Sequence, residues 1–72
     1  MSNFTIFAKN FGQRVVELRK KQGLTQEELA DKAEIERSYM GAIERGERNP
    51  TLVKIFQLSK ALEIEVSKIF EF

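Results

Sequence analysis

From Thr25 to Asn49 the chain reads TQEELADKAEIERSYMGAIERGERN, a pattern that leaves room for little except two short helices joined by a tight turn. Thr25 precedes Glu28 by three positions, the spacing at which a hydroxyl and a carboxylate each accept from the other residue's orphan backbone N–H. Thr25 is therefore the expected N-cap. Behind it Leu29, Ala30 and Ala33 recur on one helical face, with Glu27, Glu28, Asp31 and Lys32 on the other, and this helix should end near Ala33. Glu34, Ile35 and Glu36 form the turn. Met40 and Ile43 then supply the inward face of a second helix, which Gly46 can stop in a left-handed conformation. The expected outward face is Arg37, Ser38, Gly41, Ala42 and Arg45, and small or hydrogen-bonding side chains beside two arginines suit entry into a DNA major groove.

The flanking segments read as scaffold. Phe7, Phe11, Val15 and Leu18 form the stripe of an amphipathic helix running to about Gln22, with Gly23 after it and three cations in its last turn. Pro50 and Thr51 mark the start of a helix over 52–62, whose core side is expected to be Leu52, Ile55, Leu58, Ser59 and Leu62. Glu65 or Ser67 can cap a short last helix ending at Phe70. The expected architecture is all-α, a compact five-helix bundle forming one domain over 1–72, with helices near 4–22, 26–33, 37–45, 52–62 and 66–70.

Composition sets limits on function. Seventy-two residues lie near the lower bound at which one hydrophobic core suffices, and 42% apolar with 32% charged residues is ordinary for a soluble fold. There is no cysteine and no histidine, which removes disulfides, the usual zinc ligands and most acid–base or nucleophilic triads. No enzyme, metal or cofactor is expected. The opening MSNFTIFAKNF lacks a cationic start followed by a long apolar run, and no stretch approaches ~20 apolar residues, so neither export nor a membrane span is expected and a cytoplasmic location fits.

Net charge is only +1, weak for a nucleic-acid binder, but it is unevenly spread. Lys9 to Lys21 holds five basic residues against Glu17 alone, whereas Gln22 to Pro50 holds four basic and seven acidic ones. Affinity should then rest on few phosphate contacts, doubled by dimerisation, with a shallow salt dependence.

The pair of helices resembles the helix-turn-helix of the phage repressor and Cro family: Gln26 opens the first helix, Ala30 sits where the helices touch, and Ile35, Met40 and Ile43 take the apolar positions. The run Glu36-Arg37-Ser38-Tyr39-Met40, then Ile43-Glu44-Arg45-Gly46, then Arg48-Asn49-Pro50-Thr51 resembles more particularly the controller proteins of restriction-modification systems, which are small dimeric transcription factors. Two departures stand out, because Glu34 and Glu63 occupy places where the family often has glycine. At Glu34 the resemblance implies φ > 0, at a cost of ~1 kcal/mol. It also implies that Arg19 and Glu44 form a partly buried ion pair that orients the recognition helix.

Site assignments follow from chemistry and from that resemblance. Arg37 is the first candidate for base readout, since a guanidinium can donate two parallel hydrogen bonds to guanine, although a phosphate clamp is the alternative. Ser38 can reach a base or a phosphate, Ala42 can meet a thymine methyl, and Glu36 can accept from cytosine or serve as a helix cap. Backbone contacts are expected from Gln26 at a helix start, and from Arg48 and Asn49 near the operator centre. Tyr39 either sets its hydroxyl on a phosphate or packs at the core edge. Thr51 and Arg45 can touch phosphate, or cap a helix and complement a helix end respectively.

One recognition helix reads too few base pairs to select a promoter, so a homodimer on a palindromic double-stranded operator is expected. Val53, Phe56, Ile64, Ile69, Phe70 and Phe72 exceed what one buried stripe requires and are the expected interface. The implied function is autoregulatory activation or repression of transcription. Glu34, Glu44 and Glu47 are either RNA polymerase contacts or a solvated face. A prophage-type or housekeeping repressor is the alternative within the family, and a protein-interaction module such as an antitoxin or coactivator the alternative outside it.

Overall fold

The computed structural model describes residues 2–72. The chain forms four α-helices, α1 (Asn3–Lys21), α2 (Gln26–Ala33), α3 (Arg37–Glu44) and α4 (Leu52–Ala61), followed by a single 3₁₀ segment, Val66–Phe70. The expected fifth α-helix is thus a 3₁₀ turn. Five residues between an extended Glu65 and a non-helical Glu71 are too few to repeat the α-helical ladder, and such short runs take the tighter form.

Each helix start has a local cause. The Ser2 hydroxyl accepts from the Thr5 N–H at 3.0 Å. At α2 the reciprocal cap is complete, with Thr25 N–H donating to Glu28 Oε1 at 2.8 Å and Glu28 N–H to Thr25 Oγ1 at 3.0 Å. The backbone N–H of Thr25 holds the Glu28 carboxyl below its ordinary value. Thr51 caps α4 by accepting from Lys54 N–H at 3.2 Å. Arg19, Lys20 and Lys21 close α1 at the negative end of its dipole.

Helix ends are more costly. Glu34 ends α2 at φ 58 and Glu63 follows α4 at φ 57, both left-handed and neither a glycine. Each pays about 1 kcal/mol for the crowding of Cβ against the next carbonyl. Returning backbone bonds hold them there, Ile35 N–H to Ala30 at 2.9 Å and Ile64 N–H to Ser59 at 3.0 Å.

Val15, Leu29, Met40, Ile43, Leu58, Leu62 and Ile69 fill the centre, contributed by all four helices and the 3₁₀ turn. Ile69 is completely buried, which corrects its expected place at a dimer interface: the 3₁₀ turn points it inward as the plug between α1 and α4. The Arg14 guanidinium fastens that turn, donating to the Lys68 carbonyl at 2.9 and 3.2 Å. Two other residues expected inside lie outside. Phe7 is exposed, and Leu52 is 80% accessible because the first turn of α4 has no neighbour on that side.

At Gly12 the backbones of α1 and α3 come very close. A Cβ on Gly12 would lie 2.5 Å from the carbonyl oxygens of both Ile43 and Glu44. Only a residue without a side chain lets the last turn of α3 rest on α1. Gly46, at φ +76, does the same for the next stretch, where a Cβ would meet the backbone of Lys9 at 2.7 Å.

Candidate nucleic-acid interface

The contact with Gly12 sets the height of α3, and a buried ion pair sets its rotation. Arg19 Nε donates to Glu44 Oε2 at 2.8 Å and Arg19 Nη2 to Glu44 Oε1 at 3.0 Å, a two-pronged pairing with the side chains only 13% and 5% exposed. The bond to Glu44 raises the Arg19 pKa above its already high value, so the guanidinium stays charged. Arg19 also donates to the Leu24 carbonyl at 3.2 Å, and Gln26 Nε2 donates to Glu44 Oε1 at 2.9 Å. One carboxylate therefore gathers α1, the start of α2 and the end of α3. Its burial removes Glu44 from the set of acids available to a polymerase.

With that frame fixed, α3 turns Met40, Gly41, Ala42 and Ile43 inward and leaves Arg37, Ser38 and Arg45 in solvent. Ala42 is only 5% exposed, which corrects its expected contact with a thymine methyl: it belongs to the seam behind the helix. Gly41, expected on the outward face, is likewise buried, beneath the ends of Gln26 and Arg45. Glu36 stands at the N-cap position of α3 but makes no capping bond, and its carboxylate accepts from the Ser38 hydroxyl instead. The available edge is thus the first turn, Glu36 to Ser38, with Arg45 one face further along.

Both exposed arginines have carboxylate partners. Arg37 Nη2 lies 3.0 Å from Glu27 and 3.9 Å from Asp31 on α2, and Arg45 Nε lies 3.1 Å from Glu47. These are solvent-exposed pairs worth a few tenths of a kcal/mol, readily exchanged for a base or phosphate. Gln26 keeps one amide N–H beyond the bond to Glu44, beside the open backbone N–H groups of α2. Arg48, Asn49 and Thr51 are exposed on the loop that follows, and Tyr39 is half-buried against the core.

One side chain absent from the sequence reading enters here. Lys54, on the first turn of α4, places its ammonium 5.2 Å from the centre of the Tyr39 ring, where the Arg48 guanidinium also sits at 5.6 Å. No spacing rule links residues 39, 48 and 54. Leu52 joins Val53 and Phe56 on the open side of α4, while Ile64 is half-buried against the core. Phe70 and Phe72 are partly covered by Phe7 of the same chain, at ring distances of 6.3 and 5.4 Å.

Among the described residues no group of acidic side chains could hold a metal ion, and no helix is long and apolar enough to cross a membrane. A short α2 and α3 locked at a fixed angle, with a polar and cationic first turn on α3, define a helix-turn-helix DNA-binding regulator.

Residues 15–69 match the helix-turn-helix family HTH_3, and the chain belongs to that family. It is 49% identical to the restriction-modification controller protein C.AhdI from Aeromonas hydrophila, whose crystal structure superposes with a TM-score of 0.86 over 88% of this chain and 96% of that one. The master regulator for biofilm formation SinR, solved in complex with DNA, superposes with a TM-score of 0.80 at 34% identity, over 85% of this chain and 98% of that one. The immunity repressor of Bacillus phage phi105 is 47% identical over 58 residues, 81% of this chain; the match spans 40% of the repressor's length.

Proposed function

We propose that this protein is a dimeric, sequence-specific transcriptional regulator of a restriction-modification system, acting on a palindromic operator without any chemistry of its own. The observation that carries this reading is the near-complete overlap with a controller protein at 49% identity, over 88% of this chain and 96% of that one. In this arrangement Arg37 reads a base, Ser38 and Glu36 bound the same edge, and Gln26, Tyr39, Arg48, Asn49, Thr51 and Arg45 hold the sugar–phosphate backbone. The carboxylates of Glu27 and Asp31 keep Arg37 extended in the free protein and yield it to guanine. The phage immunity repressor, almost as similar in sequence, supports a second reading in which the same domain represses a prophage promoter.

Selection of bound duplexes from a genomic library tests both readings. The expected result is a two-fold symmetric site upstream of the protein's own gene and beside a methylase and nuclease. Arg37→Ala should weaken that site by about 1–3 kcal/mol and relax one position in each half-site. Enrichment of a prophage promoter would favour the second reading, and no enrichment would remove sequence-specific DNA binding.

Dimerisation rests on exposed apolar side chains, Leu52, Val53 and Phe56 on α4 and, against α1, Phe70 and Phe72. Phe56 is 53% exposed, an apolar ring that a partner would cover. Phe56→Asp is expected to yield a monomer by sedimentation equilibrium with its helical content intact. A dimer of unchanged affinity would place the interface elsewhere.

A further inference from the structure

We infer that Lys54 is a phosphate-binding residue, forming with Arg48 and Tyr39 a clamp on a single backbone phosphodiester. The inference rests on the DNA-binding function proposed above and adds to it a residue from α4. Around α3 the cations fall into two kinds. Arg37 and Arg45 are each within 3.1 Å of a carboxylate, so they approach DNA with their charge already compensated. Arg48 and Lys54 are in no ion pair among the described residues, and both sit over the Tyr39 ring instead.

Gathering two like charges at one ring is unfavourable unless the ring offsets it, and the negative face of an aromatic does so only in part. A phosphate between the two cations would complete the compensation. The site is built on rigid parts. Tyr39 packs against the core, Lys54 is half-buried on the first turn of α4, and the Thr51 hydroxyl fixes that turn by accepting from the Lys54 N–H at 3.2 Å. Three separate elements, α3, the loop and α4, therefore converge on one phenol whose hydroxyl can donate to the same phosphate. A lysine that merely covered the ring would owe its place to its stem, and its charge would be immaterial to DNA.

That difference is measurable with the full-length protein and a labelled duplex carrying the selected site, alongside a random duplex. Lys54→Met keeps the stem and removes the charge. It should lower the slope of log K against log salt by about 0.9 per protomer, about 1.8 for a dimer. Between about 50 and about 200 mM salt, wild type would then lose about 12-fold more affinity than the variant, on both duplexes. Lys54→Arg should restore the slope, and Lys68→Met, whose ammonium pairs with Glu71 at 3.3 Å, should leave it unchanged. An unaltered slope in Lys54→Met, with thermal melting like wild type, would overturn the clamp while leaving DNA binding in place. Failure of the wild-type protein to bind either duplex would overturn the function itself, and the clamp with it.

Discussion

Gly12→Ala is expected to lower the melting temperature by about 10 °C or more, the largest effect of any single methyl group in this protein. In an isolated helix the same change would stabilise by ~1 kcal/mol, because alanine has less backbone entropy to lose. Here the added Cβ would stand 2.5 Å from two backbone carbonyl oxygens, those of Ile43 and Glu44, neither of which can rotate away. Relief requires α3 to lift off α1, which opens the core around Val15 and Ile43. Overpacking of this kind costs about 1–3 kcal/mol or more, and a domain of this size loses roughly 4–8 °C per kcal/mol. Operator affinity should fall with stability even at temperatures where the variant is folded, since a raised α3 no longer shares a plane with Gln26. A melting curve matching wild type would mean that the two helices are not held at this distance in solution.

Glu44→Ala should cost about 3 kcal/mol by urea denaturation, far more than an exposed pair would. The loss has two parts. Arg19, with its side chain only 13% exposed, would keep its charge and lose two of its three hydrogen-bond acceptors, retaining only the Leu24 carbonyl. Gln26 would lose its anchor as well, so the same substitution should reduce DNA affinity beyond what the stability change explains. Glu44→Gln, which keeps the shape and one acceptor, should fall between wild type and alanine. If Glu44→Ala unfolds within ~0.5 kcal/mol of wild type, the pair does not orient the recognition helix.

The parts of this fold that are legible in the sequence are those encoded by near neighbours. The cap of α2 is written in two residues three apart, and its bonds are present at 2.8 and 3.0 Å. The left-handed turn at Glu34 could be anticipated only from the resemblance to a family that often has glycine there, since glutamate itself carries no such signal. What could not be read depends on where distant elements come to rest. Gly41 shares helical phase with Arg37 and Arg45, and Ala42 with Ser38, yet the close seat of α3 on α1 and α2 submerges them. Ile69 reads as a spare hydrophobe until the 3₁₀ turn rotates it inward. Gly12 carried a signal that went unused, since a glycine set beside Phe11 within an apolar stripe marks a close backbone approach. Lys54 carried none, because its meeting with Tyr39 and Arg48 is made entirely by the path of the loop.

The two left-handed glutamates reach beyond geometry into how long a molecule survives. Together they cost about 2 kcal/mol relative to relaxed turns, which raises the unfolded fraction about 30-fold. Proteases that act on the unfolded fraction would therefore be offered more substrate by the backbone crowding at Glu34 and Glu63. For a regulator whose output depends on how many copies occupy its operator, rapid turnover also shortens the time needed to reach a new steady level. Backbone crowding at two turns would thereby bear on the timing of the response.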